Sequence, residues 1–333
     1  MIDLSKNTNP YYPNINIKLH LLKSVFNVSS YPHKNNDYCN EILSNYFNID
    51  KSYMCLANGT LGAFNDLIRC LKAKKVGFIA PTFWGMQYIA SHNKCQLKYI
   101  MMKDKYNLLE IDKLAKEVDL IYICNPNNPT LSYISKKYIK KLIDNNKNCH
   151  FVIDETLLSF SDDFFKNTLY FDVRNYSNLS VLLSFSKILS LGGMRIALLC
   201  STQKIIKRIK ENKIIFSNSI FLENIINDIG RYYFKINRSV FKKNFEVFKS
   251  LLNFKYIDNY VDAHVSFVNI KFKNYINVDN LLIYLKKHNY IIANISSMYL
   301  ELDKNWVRIS IGKYRQMIKL AKLINDFLEE EYE

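Results

Sequence analysis

The fold of this 333-residue chain is decided by one stretch, Leu182-Leu-Ser-Phe-Ser-Lys-Ile-Leu-Ser-Leu-Gly-Gly-Met-Arg195. Its first residues belong to an apolar run, 180–185, that is typical of a buried β-strand. Lys187 follows that run, and burial makes loss of its proton easier because the ammonium form is disfavoured away from water. A neutral amine in such a place can form a Schiff base.

Two polar side chains flank this lysine. Ser184 supplies a hydroxyl, and Arg195 supplies a fork of N–H donors beyond the flexible Gly192-Gly193 turn. Both groups suit a phosphate. A lysine that forms an imine beside a phosphate clamp suggests pyridoxal 5'-phosphate (PLP) as the cofactor. Most lysines are solvated surface groups, so the hypothesis depends on the rest of the chain.

The composition is that of a globular protein of the cytoplasm. Hydrophobic residues make up 49% of the chain, no apolar run reaches transmembrane length, and the N-terminus does not resemble a signal peptide. The seven cysteines lack metal-site spacing, which predicts reduced thiols and no metal. The net charge of +16 raises the alternative of a nucleic-acid partner. We do not expect one, because the lysines form no stripe and an AT-rich coding bias would also enrich lysine.

Short apolar segments recur through the first 200 residues with helical patterns between them. This alternation is typical of a doubly wound α/β domain, in which ligands bind outside the carboxyl ends of the strands. We predict strands at 53–57, 76–80, 97–102, 120–124, 150–153, 180–185 and 196–200.

The remainder of the chain predicts a second, smaller unit. The segment 204–252 is helical and rich in lysine, and we predict one long helix that bridges two domains. An α+β domain follows, with strands at 265–272 and 306–311 and a helix at 278–288. The predicted domains are an N-terminal arm (1–30), a large domain (31–235), and a small domain (236–333) that includes the arm.

Polar or aromatic residues stand where several predicted strands end. The turn at 58–60 opens a helix and frees backbone N–H groups for an anion, although an ordinary strand-turn-helix corner explains it equally well. Phe83 or Trp84 could stack on a flat heterocycle or could belong to the core. Asp154 needs a cationic partner, because burial of an unpaired carboxylate is costly.

Together these pieces resemble the fold-type I PLP enzymes, specifically the aminotransferase class I/II superfamily near histidinol-phosphate aminotransferase and threonine-phosphate decarboxylase. The resemblance covers almost the whole chain. It implies a large PLP-binding domain with a mostly parallel, doubly wound sheet and a smaller α+β C-terminal domain. The most specific matching motifs are Asn125-Pro-Asn-Asn-Pro-Thr130, Ile153-Asp-Glu155, Ser184-Phe-Ser-Lys187 with Arg195, and Val307-Arg-Ile-Ser-Ile-Gly312.

The resemblance implies a role for each residue that would hold the cofactor. Lys187 would form the internal aldimine and shuttle a proton, Asp154 would pair with the pyridine nitrogen, and Asn128 would donate to the ring hydroxyl. Phe83 would stack on the ring, with Trp84 as the alternative. The phosphate would be held by Gly59, Thr60, Ser184, Arg195 and, from a neighbouring subunit, Tyr31.

The resemblance also implies the substrate contacts. Arg308 would bind an α-carboxylate bidentately, and Tyr11, Tyr12 or Trp84 would meet the substrate side chain. The chain departs from the family pattern in three places. Leu157 and Leu131 replace a common tyrosine and a common glycine, and the segment 290–303 contains no basic residue. Relatives with phosphorylated substrates carry an arginine there for the distal phosphate.

The predicted function is transamination between an amino acid and a keto acid, in a homodimer with shared active sites. The alternative is an α-decarboxylase of an amino acid, possibly O-phosphorylated, resembling threonine-phosphate decarboxylase, which Leu157 fits slightly better. The two reactions differ in which α-bond stands perpendicular to the ring. Because histidinol phosphate has no α-carboxylate and the segment 290–303 lacks the arginine, we predict that the chain does not act in histidine synthesis.

Overall fold

The computed structural model describes residues 1–33, 36–102, 106–213, 219–262, 265–299 and 302–332. Within these ranges the strands are β1 (Ile2–Asp3), β2 (Met54–Asn58), β3 (Lys75–Ala80), β4 (Gln96–Met101), β5 (Leu120–Cys124), β6 (His150–Asp154), β7 (Leu179–Ser184), β8 (Ile196–Cys200), β9 (Ile257–Val261), β10 (Phe267–Phe272), β11 (Tyr290–Ile291), β12 (Ala293–Asn294) and β13 (Trp306–Ser310).

The α-helices of the described ranges vary from one turn to five. None of those described is both long and apolar enough to cross a membrane. They are α1 (Ile15–Ser24), α2 (Asp37–Phe47), α3 (Gly59–Leu71), α4 (Trp84–His92), α5 (Leu108–Ala115), α6 (Lys136–Asn145), α7 (Phe164–Asn167), α8 (Phe185–Ile188), α9 (Gln203–Glu211), α10 (Ile220–Lys235), α11 (Ser239–Leu251), α12 (Val278–Lys287) and α13 (Tyr314–Tyr332).

The larger sheet has seven strands in the order β2-β8-β7-β6-β5-β3-β4. The strands β3 to β7 pair in parallel, and β8 runs antiparallel to both of its neighbours. Every residue of β5, β6, β7 and β8 is buried, as expected for parallel strands covered on both faces. Successive side chains pack on opposite faces: Val152 joins one core cluster and Ile153 the other. This arrangement confirms the predicted α/β fold with a mostly parallel sheet.

The smaller sheet is antiparallel, in the order β12-β13-β10-β9, and the helices α11, α12 and α13 pack together beside it. The N-terminus reaches this unit because β1 pairs in parallel with β11. Leu4 then accepts a hydrogen bond of 2.8 Å from the N–H of Ser310, at the end of β13. A smaller α+β unit is therefore confirmed, whereas the predicted domain boundaries stay a prediction.

The predicted long helix over 204–252 is wrong. The described part of this segment contains three helices, α9, α10 and α11, and residues 214–218 lie outside it. The side chain of Ser219 caps α10 by accepting a hydrogen bond from the N–H of Leu222. The bend between α10 and α11 is held by the buried Arg238, which donates to the carbonyls of Ser159 and Tyr233 at 2.8 and 3.0 Å. The contacts of Arg238 thus separate α10 from α11, where the local sequence pattern alone predicts one continuous helix.

The sequence pattern also missed α1. Asn14 caps this helix by accepting a hydrogen bond from the N–H of Ile17, after the irregular Pro/Asn-rich opening. The helix lies on α10, where Asn16 donates to the hydroxyl of Tyr232 at 2.6 Å and Asn224 donates to the hydroxyl of Ser24 at 3.0 Å. The N-terminal arm is therefore attached to the large sheet's side of the molecule as well as to the small sheet.

Candidate active site

A cavity of about 370 Å³ opens where the parallel strands β6 and β7 end. Parallel strands present their carboxyl ends at one edge of a sheet, and the crevice there is the usual ligand site of such folds. Residues from the small sheet and the N-terminal segment complete the wall. The predicted site residues that line it are Thr60, Phe83, Asn128, Asp154, Ser184, Lys187, Arg195 and Arg308.

Lys187 lies in α8, the single helical turn that follows β7. The hydroxyl of Ser184 starts this turn by accepting a hydrogen bond of 3.2 Å from the N–H of Ser186. The Nζ of Lys187 donates to the carbonyl oxygen of Lys6 at 2.9 Å. Burial lowers the pKa of the lysine, and the positive charges of Arg308, Arg195 and Lys6 lower it further. These effects favour the neutral amine, which is the form that attacks a carbonyl carbon.

Asp154 ends β6 and is buried. The hydroxyl of Tyr122 donates to its Oδ2 at 2.8 Å, and the N–H of Thr156 donates to its Oδ1 at 2.9 Å. Among the described residues no cationic side chain lies within 4 Å of this carboxylate, and burial raises its pKa. A protonated pyridine nitrogen would supply the missing positive charge.

The start of α3 is surrounded by a cradle of donor groups that suits a phosphate. Gly59 has a positive φ of 68°, and a Cβ added there would lie 2.6 Å from Nη2 of Arg195. The guanidinium of Arg195 therefore lies so close to the backbone of Gly59 that any residue with a Cβ would displace it. Ser186 adds a buried hydroxyl on the cavity wall whose Oγ has no hydrogen-bond partner among the described residues. Backbone N–H groups, hydroxyls and a guanidinium are the donors that a phosphate accepts from.

Arg308 extends from β13 into the cavity and is only 7% exposed. Its Nη1 donates to Oδ1 of Asn128 at 3.0 Å, and its Nη2 donates to the carbonyl oxygen of Ser5 at 2.9 Å. Its Nε is buried with no partner in the described part of the chain. The guanidinium also faces the ring of Phe267 at 5.4 Å. Within the described ranges no carboxylate lies within 4 Å of it, so this buried cation lacks an anion.

Both aromatic candidates border the cavity. Phe83 is half-buried just before α4, and Trp84, the first residue of that helix, is 60% exposed and makes an edge contact with Tyr88. A ring that is fixed by packing is better suited to stacking than a solvated one, which favours Phe83. The choice between them stays a prediction.

The structure does not bring Tyr11 or Tyr31 to this cavity within one chain. The hydroxyl of Tyr11 accepts a hydrogen bond of 2.9 Å from Asn244 on α11, and its N–H binds Oδ1 of Asn9 at 3.0 Å. These bonds hold the ring beside α11, and Tyr11 is not among the residues that line the cavity, so its substrate contact stays a prediction. Tyr31 is 83% exposed, and its predicted role depends on a second subunit.

Several residues that line the cavity, and one that contacts a lining residue, were missed by the sequence analysis. Tyr122 contacts Asp154 from the neighbouring strand, and only the strand register reveals that the two residues meet. Ser186 was visible as the second serine of Ser-x-Ser-Lys. Lys6 and Tyr299 line the wall from opposite ends of the chain. Among the residues described, no group of three or more His, Cys, Asp and Glu side chains is placed to hold a metal ion.

The sequence model of the family described as aminotransferase class I and II matches residues 1–324. The chain belongs to this family. It is 26% identical to the histidinol-phosphate aminotransferase of Methanococcus aeolicus over 341 residues, which cover 98% of this chain and 90% of that protein. It is 27% identical to the dihydroxyacetone phosphate transaminase of Campylobacter jejuni over 318 residues, covering 92% of this chain and 83% of that protein.

Solved structures share the fold over nearly the whole chain. The histidinol-phosphate aminotransferase from Clostridium acetobutylicum superposes with a TM-score of 0.87 at 19% identity, over 99% of this chain and 100% of that one. The L-threonine-O-3-phosphate decarboxylase from Porphyromonas gingivalis gives 0.84 at 19% identity, over the same shares. The histidinol-phosphate aminotransferase from Sinorhizobium meliloti, solved with PLP, gives 0.84 at 15% identity over 98% and 91%.

The family match and the donor set of the cavity agree on one cofactor. The class I and II family is a family of PLP-dependent aminotransferases, and PLP is the cofactor of this chain. The unpaired Asp154, the unpartnered hydroxyl of Ser186 and the Gly59–Arg195 contact fit the ring nitrogen and the phosphate of that group.

The Gly59→Ala variant is expected to bind PLP at least about 10-fold more weakly, because a side chain at positive φ is strained and its Cβ would displace Arg195. The measurement is a titration of apoprotein with PLP, followed by absorbance. Gly193→Ala is the control, since a Cβ there meets nothing within 4 Å. Equal affinities for the two variants would contradict the assigned cradle.

Proposed function

We propose that this aminotransferase acts on an α-amino acid and an α-keto acid, with Arg308 holding the α-carboxylate. One observation carries the proposal: a guanidinium that is nine-tenths buried lies on the wall that Lys187 also lines, without an anionic partner among the described residues. An unpaired buried charge is strongly unfavourable, so a ligand that supplies the anion is favoured. A planar carboxylate matches the planar fork of arginine.

Each functional side chain then has a definite task. PLP, when bound, draws electrons away from the α-carbon of the amino acid. Lys187 holds the cofactor, and its neutral amine takes the proton from the α-carbon and returns it to a neighbouring atom. The carbonyl oxygen of Lys6 orients that amine. Asp154 keeps a proton on the ring nitrogen, and Tyr122 orients the carboxylate.

Arg308 orients the substrate for this proton transfer. Because its Nη1 and Nη2 are tied to Asn128 and Ser5, the plane of the guanidinium is fixed before the substrate arrives. A carboxylate bound to a fixed plane places the α-carbon at a defined position relative to Nζ of Lys187. Asn128 uses its oxygen for Arg308, so the N–H donors of its amide serve the ring hydroxyl.

Histidinol phosphate is not the substrate that we propose, although several relatives carry its name. It has no α-carboxylate for Arg308. In addition, the segment 290–303, which approaches the cavity through Met298 and Tyr299, contains no basic residue for a phosphate. At 26% identity to the Methanococcus aeolicus relative, a change of substrate within one family is compatible with the shared fold.

α-Decarboxylation is the second candidate. Leu157, which lines the cavity, puts an apolar side chain where many aminotransferases have a tyrosine, and one similar fold is that of a threonine-phosphate decarboxylase. Both reactions start from the same bound amino acid.

The products decide between the two candidates. The protein is incubated with PLP, pooled amino acids and 2-oxoglutarate, and the mixture is analysed by mass spectrometry. Transamination is expected to give glutamate and one new keto acid, because Lys187 can return the proton to the cofactor side. An amine formed together with CO2 would show decarboxylation and refute the leading proposal.

The Arg308→Lys variant is expected to raise KM for the amino acid about 10- to 100-fold, equivalent to about 1.4–3 kcal/mol of lost bidentate binding. The measurement is steady-state kinetics with the substrate found above. Arg315→Lys, at an exposed position on α13, is the control. An unchanged KM in Arg308→Lys would contradict the carboxylate assignment.

We also propose that the protein is a homodimer whose arms complete each other's active sites. The outer face of α1 and the turn after it is apolar and exposed, although its inner face is docked on α10. Single exposed apolar residues are common, but a contiguous stripe indicates a covered surface. The stripe consists of Ile15, Leu19, Leu22 and Phe26, with exposures of 65, 47, 63 and 88%.

The double variant Leu22→Glu/Phe26→Glu is expected to sediment as a monomer at micromolar concentration and to lose most of its activity. Its charges would be buried without partners in the interface, and Tyr31 would no longer reach the neighbouring phosphate site. Leu109→Glu is the control, because Leu109 is 76% exposed on α5, outside this stripe. A fully active wild-type monomer would contradict the proposal.

We further propose a reducing compartment, the cytoplasm. All seven cysteines are free thiols, and six of them are buried, where they pack as small apolar side chains.

A further inference from the structure

The N-terminal segment at residues 4–7 forms one wall of the cavity. It is fixed along its length: the N–H of Leu4 donates to the carbonyl oxygen of Ile291 at 2.7 Å, and its carbonyl oxygen accepts from Ser310 at 2.8 Å. The N–H of Asn7 donates to the hydroxyl of Ser310 at 2.8 Å. Its backbone therefore has a defined position beside β13.

Two functional side chains are bound to consecutive carbonyl groups of this wall. Nη2 of Arg308 donates to Ser5, and Nζ of Lys187 donates to Lys6, both at 2.9 Å. The side chain of Lys6 therefore originates between the carboxylate site and the reacting amine. The ammonium of Lys6 is close enough to Lys187 to contribute to the lowering of its pKa.

The proposed roles of the charged residues in the cavity assign none to the ammonium group of Lys6. Four of the lining residues are basic, Lys6, Lys187, Arg195 and Arg308, and one is acidic, Asp154. Arg195 faces the phosphate, Lys187 holds the cofactor, Arg308 takes the α-carboxylate, and Asp154 faces the ring nitrogen. One cation remains beyond those that the cofactor and a simple amino acid require.

The ammonium group of Lys6 can exchange its present partner, Asp3, for a ligand. Its Nζ forms an ion pair of 2.8 Å with Asp3, but the two side chains are 71 and 29% exposed, and Asp3 does not line the cavity. Ion pairs that are open to solvent contribute little to stability. A long, flexible lysine side chain can therefore turn from Asp3 to a ligand at little cost.

We propose that Lys6 binds a second anionic group of the substrate, a carboxylate or a phosphate on its side chain. The substrate class is then acidic or O-phosphorylated α-amino acids. This inference rests on the proposed function, because it takes the α-carboxylate to be held by Arg308. It also supplies, from the opposite end of the chain, the cation that the segment 290–303 lacks.

The experiment compares kcat/KM for matched pairs that differ in the distal charge. Glutamate against glutamine tests a carboxylate, and O-phosphoserine against serine tests a phosphate. The wild type is expected to prefer at least one anionic member. In Lys6→Met that preference should fall about 10-fold, because a charge-assisted hydrogen bond is lost, and Lys6→Arg should retain most of it. Asp3→Asn, which frees Lys6, should increase it.

Lys116→Met is the matched control, because Lys116 pairs with Asp112 at the same 2.8 Å, with exposures of 64 and 23%, and does not line the cavity. The Lys116→Met variant should prefer the anionic amino acid to the same extent as the wild type. If Lys6→Met lowered kcat/KM equally for the anionic and the neutral amino acid of each pair, Lys6 would act only on Lys187. That result would overturn the inference. A wild type that turns over the neutral and the anionic amino acids equally well would also overturn the inference, but the proposed function would then stand. Failure to turn over any α-amino acid would refute both.

Discussion

The cavity depends on one buried guanidinium that joins three parts of the chain. Arg308 leaves the small sheet, binds Asn128 in the loop after β5 of the large sheet, and binds Ser5 in the N-terminal segment. Removing a guanidinium from water is costly unless its donors are satisfied. Among the described residues only two N–H groups of the guanidinium, one on Nη1 and one on Nη2, have a protein acceptor, and its Nε–H is buried without one. The same contacts therefore position the two sheets and prepare an anion site.

Burial shifts the two central titratable groups in opposite directions. It raises the pKa of Asp154, which has only hydrogen-bond donors around it, and lowers the pKa of Lys187, which has three further cations nearby. Asp154 thus lacks a cationic partner among the described residues, whereas the neutral amine of Lys187 is favoured by the positive charges around it. A cofactor with a cationic ring nitrogen and an anionic phosphate would complement the carboxylate and the basic groups of this cavity.

The sequence predicted most of the large sheet, because parallel strands buried on both faces are unbroken apolar runs. The predicted bounds of β5 and β8 agree with those observed. Lys187, Asp154 and Arg308 were found because each stands in a specific motif, and the structure brings them to one cavity.

What the sequence did not predict depends on contacts between distant segments. The bend before α11 is set by Arg238, and the partner of Asp154 is set by the register of β5 on β6. The position of Lys6 follows from the pairing of β1 with β11. No local pattern encodes such pairings, since each depends on a surface that only the folded chain creates.

The N-terminal wall has a consequence for the synthesis of the protein. Ser5 is bound to a side chain 303 positions later, and Lys6 to one 181 positions later. Ser5 and Lys6 therefore leave the ribosome 303 and 181 residues before the side chains that bind them. Contacts of such long sequence separation form slowly. A nascent chain can assemble its central sheet early, but this wall of the cavity is complete only after β13 has emerged and bound residues 4 and 5.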